Sequence, residues 1–270
     1  MKKTYVILAA SVIMASGTAF AQTGDVSNKV DTGDISAGAY GDDAVAAAGG
    51  VVLNNAYGVG DVTNKVDAGD VAAEATEAWA VAAAGGVAVD YTGGVGDVTN
   101  KVDAGDISAG AHGFDATAAA GSVVLTDSYG VGDVTNKVDA GDVAAEATSL
   151  ATAAAGGVAV DYTGGVGNVA NKVDAGDISA GAYGYGAAAA AGGVVLKDSY
   201  YGVGNVTSSV DAGDIYAGAY GDDAVAAAGG VVLKASYGGV GDVTNKVSAD
   251  DITAIASGGA TAVAGGVSIK

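Results

Sequence analysis

Short stretches of this chain alternate apolar and polar positions. Val62-Thr63-Asn64-Lys65-Val66-Asp67 and Val71-Ala72-Ala73-Glu74-Ala75-Thr76 place Val62, Asn64 and Val66, then Val71, Ala73 and Ala75, on one parity. Period two predicts strands with one buried face. The pattern returns at Val51 and Leu53, and at Val87 and Val89, ahead of turns such as Tyr91-Thr92-Gly93-Gly94. Gly60 to Ala68, Gly69 to Glu77, Ala78 to Gly86 and Val87 to Val95 are thus four blocks of nine, with glycine near most joints. Thr63, Thr99 and Thr135, with Lys65, Lys101 and Lys137, are expected to face solvent.

The blocks belong to a longer period. Aligned on Gly-Asp-Val and its variants, units begin at Gly24, Gly60, Gly96, Gly132, Gly167, Gly204 and Gly241, spaced 36, 36, 36, 35, 37 and 37 residues apart. Two flavours alternate at first: Gly-Asp-Ile-Ser-Ala-Gly-Ala from Gly33 and Gly105, and Gly-Asp-Val-Ala-Ala-Glu-Ala-Thr from Gly69 and Gly141. Such self-similarity predicts a solenoid. The expected fold is an all-β, tandem-repeat β-solenoid of seven units of about 36 residues, each made of four strand-turn blocks of about nine. Coils of 18 residues would give a rod of roughly 65 Å, and one coil per unit would halve it. The alternatives are a mixed helix and strand array, because Asp70 to Gly86 carries an N-cap aspartate, an alanine-rich interior and a glycine stop, and a chain that orders only on assembly. The expected organisation is a signal peptide at 1–21, a repeat domain at 22–240 and a degenerate capping repeat at 241–270, where Ser248-Ala249-Asp250-Asp251 replaces Asp-Ala-Gly-Asp.

Composition narrows the stabilising forces. The chain has no cysteine, no proline and 47 glycines, and half its residues are apolar, many of them alanine. Stability must come from backbone pairing and close packing of small side chains, with no disulfide framework and no lipoprotein cysteine. Lys2 and Lys3, the apolar run Tyr5 to Met14 and the small residues before Gln22 form a secretory signal, with cleavage expected between Ala21 and Gln22. That run is too short to span a bilayer, so a secreted or surface-exposed product with no membrane-spanning segment after cleavage is expected. Without Lys2 and Lys3, nine lysines face 31 acids, a net charge of about −22. Nucleic acid is therefore excluded as a partner, whereas cations are attracted.

The most regular polar feature is the Gly-Asp pair. Asp61, Asp97 and Asp133 open units, and Asp70, Asp106 and Asp142 follow nine residues later. Stacked carboxylates repel, and calcium would relieve that, which makes these six the candidate metal ligands. The nine-residue spacing is similar to that of the calcium-binding repeats-in-toxin family, but the Gly-Gly-x-Gly-x-Asp signature is missing. The competing reading is that aspartate after glycine shapes a turn, which Asn168 and Asn205 at equivalent positions favour. Asn64, Asn100 and Asn136, with Asn28, Asn171 and Asn245, are expected to form an inward amide ladder. Tyrosines recur at two places per unit, including Tyr40, Tyr57, Tyr91, Tyr129, Tyr162, Tyr183, Tyr220 and Tyr237, as structural stacks or as a sugar-binding stripe. The single His112 shares the column of Tyr40 and Tyr183, and Trp79 is expected to plug a gap between small side chains.

Enzyme chemistry is not expected: units of nearly equal length offer surface rather than a cleft. The expectation is a secreted, self-assembling structural protein of a filament, biofilm matrix or cell surface, associating end to end through open strand edges. In its signal peptide, tandem glycine-rich repeats and ladder-forming asparagines the chain resembles bacterial functional amyloids such as curlin, although Gln22 is its only glutamine. The alternatives are an adhesin-like or calcium-binding rod, or an ice-binding face on Thr63, Thr99, Thr135 and Thr244. An outer-membrane barrel is disfavoured by the lack of aromatic girdles.

Overall fold

The computed structural model describes the backbone of residues 13–16, and residues 24–269 apart from 43, 55–56, 91, 162, 198–199, 235–238 and 259. Ala21 and Gln22, and with them the expected cleavage site, lie outside the described residues, as do Tyr91, Tyr162 and Tyr237. Within these bounds the chain is all-β, and its strands stack in parallel into a β-solenoid. No helix forms in the alanine-rich slot: Val71–Thr76 and Val81–Ala84 are both strands.

Register settles the size of a coil. Val62–Asp67 pairs residue for residue with Val98–Asp103, so Asn64 stacks on Asn100 and Lys65 on Lys101. One unit is therefore one coil, the larger of the two coil sizes left open by the sequence. Stacking at half a unit would have set Asn64 against Ala82 and buried an amide without a partner, whereas a full unit sets like on like. Six rises of about 4.8 Å make a rod about 30 Å long.

Each of the four blocks supplies one strand to one of four main sheets, and the fourth block adds a second, shorter strand in some coils. Sheet I holds Val62–Asp67 and its equivalents, sheet II Val71–Thr76, sheet III Val81–Ala84 and sheet IV Val87–Asp90, and the first three have seven strands each. Sheet IV has eight, because Ile13–Ser16, from the segment expected to be removed, pairs with Val51–Asn54. A short fifth sheet joins Tyr57–Val59, Gly93–Val95 and Tyr129–Val131.

The sheets do not enclose a simple tube. Strands of sheet I alternate buried and exposed residues, but those of sheets III and IV are buried on both faces over most of their length. Sheets III and IV are the two legs of an arch folded into the coil. One core joins Val66 of sheet I to Val71, Ala73 and Ala75 of sheet II and to Ala82 and Ala84 of sheet III. A second joins Val62 to Val87 and Val89 of sheet IV and to Val95. Between the legs, Ala83 packs on Ala88. A leg walled on both sides at close range takes small residues, which accounts for the alanine content. The arch tip turns at Gly85 in the left-handed region, φ 60°. The last coil folds like the others, but Val243, Val247, Ile252 and Ala254 on its inward parity are only half-buried, because nothing described stacks beyond them.

Candidate functional site

The Gly-Asp pairs form two exposed columns along sheet I and sheet II, and their geometry is a repeated bond between coils. Asp61 Oδ1 accepts the backbone N–H of Asp97 at 3.0 Å, and Asp97 Oδ1 that of Asp133 at 2.9 Å. In the second column Asp70 Oδ1 accepts from Asp106 N at 3.0 Å, and Asp106 Oδ1 from Asp142 N at 2.9 Å. The glycine before each aspartate leaves room for this carboxylate: a Cβ on Gly96 would stand 2.4 Å from Asp61 Oδ1, and one on Gly105 2.3 Å from Asp70 Oδ1. Asn168 and Asn205 continue the column, since an amide oxygen accepts equally well, at 2.9 Å from Asn205 N and from Asp242 N. The side-chain oxygen thus braces the next coil rather than its own turn. Among the described residues, no group of three or more histidine, cysteine, aspartate or glutamate side chains converges as a metal centre.

The asparagine ladder runs in the sense of the chain. Asn28 donates to Asn64 Oδ1 at 2.8 Å, Asn64 to Asn100 at 2.9 Å, Asn100 to Asn136 at 3.0 Å and Asn136 to Asn171 at 3.0 Å. The second amide hydrogen of Asn64 goes to Gly85 O at 3.0 Å, so the ladder ties sheet I to the tip of the arch. Ser208 interrupts the column before Asn245, whose amide turns instead to Gly229 O and Gly265 O.

The aromatic residues separate into distinct sets. Tyr40, Thr76, His112, Thr148, Tyr183 and Tyr220 share one outward column of sheet II, as expected for His112. Only Tyr183 and Tyr220 stand in adjacent coils, and their rings stack at 5.2 Å and 12°. Tyr40 is apart from that pair. Tyr216 and Tyr220 share a 2.6 Å hydrogen bond between hydroxyls, which together with burial pushes the Tyr216 phenol up to about 12. Trp79 is no plug: it is 40% exposed and meets the edge of Phe114 at 5.7 Å. The outward faces of Ser36, Glu74, Ser108, Glu146 and Ser179, with Tyr183 and Tyr216, border a shallow groove of about 650 Å³ on sheet II.

A polar cavity of about 130 Å³ at the mouth of the arch was not read from the sequence. Asp115, Asp127, Asp161, Asp223 and Lys197 line it, with Thr117, Thr126 and Thr152. Lys197, 3% exposed, pairs with Asp161 at 3.3 Å across one coil and also donates to Gly186 O. Burial, then the charge of Asp127, raises the carboxyl pKa of Asp115. The signal that could have found this cavity is the column ending sheet IV, where Asp161 precedes Lys197 by one coil.

No protein-family model matches the chain, and no curated protein or solved structure does either. No helix of the described residues is long and apolar enough to cross a membrane.

Proposed function

We propose that the chain is a non-catalytic structural rod, exported to the cell surface or extracellular matrix, whose copies associate end to end. The observation that carries this reading is the edge of the last coil. There Val243, Asn245 and Val247 of sheet I and Ile252 and Ala254 of sheet II are half-buried on the parity that is buried in the coils before them. Every ladder in the rod repeats with the same rise, so the first coil of another copy offers the matching partner for each strand. Unpaired, flat strand edges template such growth.

Residues 22–270, purified without metal, are expected to grow β-rich fibres visible by electron microscopy, with kinetics accelerated by seeds. Val247→Lys and Ala254→Lys would place charges on the half-buried edge and should stop growth while the circular dichroism of the monomer stays unchanged. A wild-type protein that remains monomeric with and without calcium would refute the proposal.

A further inference from the structure

A third aromatic column lies along the fifth sheet and its continuation. Tyr57 pairs with Gly93 and Gly93 with Tyr129. The bridges Val131 to Val166 and Val166 to Val203 continue the valine register, but the coil that reaches Val203 holds one extra residue. Tyr200 N–H donates to Thr163 O at 3.0 Å, as Gly164 N–H does to Ser128 O at 2.9 Å, so Tyr200 stands opposite Gly164, and Tyr201 follows it, two residues before Val203. Gly93 thus separates Tyr57 from Tyr129, and Gly164 separates Tyr129 from the Tyr200-Tyr201 pair, so rings recur every second coil, about 9.6 Å apart along the rod. Each tyrosine is followed by a glycine in the positive-φ region, Gly58, Gly130 and Gly202, and then by an inward valine, Val59, Val131 and Val203, at most 6% exposed. That anchor fixes where each ring emerges. The intervening glycine lets the ring lie down: a Cβ on Gly93 would stand 2.8 Å from Tyr57 Cδ1, and one on Gly164 2.9 Å from Tyr129 Cδ1. The rings are nevertheless open to solvent, at 54%, 63% and 81% exposure for Tyr57, Tyr129 and Tyr201. A purely structural ring over glycine would be expected to be buried.

We propose that Tyr57, Tyr129 and Tyr201 form a binding platform for an extended, neutral β-1,4-linked glycan lying parallel to the rod axis. The axial C–H groups of a pyranose ring present an apolar face with partial positive charge, which suits the negative face of an aromatic ring. In an extended β-1,4 chain, alternate sugars turn the same way, and two sugar units match the two-coil spacing of the tyrosines. A chain of formal charge −20 repels acidic polysaccharides, so the ligand is an uncharged one. This site does not depend on end-to-end association.

The test is retention of the purified protein on insoluble cellulose and chitin, with granular starch and polygalacturonate as the α-linked and acidic comparators. Retention on cellulose, chitin or both, but on neither comparator, is expected, and the two β-linked arms distinguish a plain glucan from an N-acetylated one. Tyr129→Ala should weaken binding about three- to tenfold and the triple alanine variant should abolish it, as for loss of aromatic contacts. A double variant, Gly93→Tyr with Tyr129→Gly, keeps three rings but breaks their spacing, and it should bind as poorly as Tyr129→Ala. Circular dichroism and thermal melting of each variant verify folding. Absence of retention on both β-linked glycans, equal retention on all four, or undiminished binding by the spacing variant overturns the proposal. So does a triple variant that loses fibre growth while the wild type binds no glycan, since the stripe would then be a self-contact.

Discussion

Substituting Gly105 tests why glycine precedes aspartate in nearly every coil. Gly105 does not have the positive φ that would itself require glycine, and the atom a new Cβ would strike is Asp70 Oδ1, at 2.3 Å; the nearest backbone atoms of Asp70 and Gly69 are at 3.4 Å. Gly105→Ala must therefore rotate the Asp70 carboxylate away and break its 3.0 Å bond to Asp106 N. The lost bond costs about 1 kcal/mol and the displaced rotamer about 1 kcal/mol more, for a total of about 2 kcal/mol. At this chain length that is a fall in melting temperature of roughly 4–8 °C. Asp70→Ala alone removes the same bond and costs about 1 kcal/mol. In the double variant the obstructing oxygen is gone, so Gly105→Ala should add nothing and could recover a few tenths of a kcal/mol through the less flexible unfolded chain. Urea denaturation followed by circular dichroism, run as a double-mutant cycle, should give a coupling of about 2 kcal/mol. Additive costs would refute the reasoning and show that the backbone, not the neighbouring carboxylate, requires glycine. The last coil supplies a natural contrast: Asp250 stands where the glycine would be, and its N–H bonds to Gly213 O at 3.0 Å.

Three further outcomes follow from buried and half-buried polar groups. Asn64→Ala removes two donated bonds and one accepted one at a fully buried site, which should cost roughly 3–6 kcal/mol in urea titration, while Thr63→Ala on the exposed face should stay within about 0.5 kcal/mol; equal effects would dismiss the ladder. Ser122 occupies the arch-tip position that is Gly86 in the preceding coil, and its buried hydroxyl has no hydrogen-bond partner, so Ser122→Gly should raise stability by about 1 kcal/mol, read as a higher urea midpoint. Asp115→Asn should stabilise at pH 7 and have little effect near pH 3. The folded-state pKa lies above 3.8, so the favourable neutral form is fully present below that value and is lost as pH rises through the folded pKa; melting curves with the same mutant effect at both pH values would reject this.

Much of the fold was legible in the sequence because each strand of sheets I and II has one solvated face. Val62, Asn64 and Val66 announce that face by alternation, and the recurrence of Asn64 as Asn100 and Asn136 announces stacking. Sheets III and IV gave weaker signals, since a strand buried on both faces, such as Val81–Ala84, has no alternation to read and resembles a helix in composition. The candidate columns were legible as columns, but their roles were not. The Gly-Asp pair looked like a turn or a cation site, and only the distance from Asp61 Oδ1 to Asp97 N makes it a brace between coils. Likewise, the tyrosines counted as two sets per unit divide into a stacked pair at Tyr183 and Tyr220 and an open set at Tyr57, Tyr129 and the Tyr200-Tyr201 pair, which recurs every second coil.

The sequence by itself determined the period, the strand faces and the buried asparagine column, because these depend on local alternation and on identity between units. Only the tertiary structure decided that 36 residues make one coil, that the alanine-rich strands fold inward as an arch, and that Lys197 meets Asp161 at its mouth. Those features depend on which strand lies against which, and side-chain parity along one strand says nothing about its neighbour. Coil closure is fixed instead by what must be paired once buried: asparagine on asparagine, and the arch-tip carbonyl of Gly85 on the amide of Asn64.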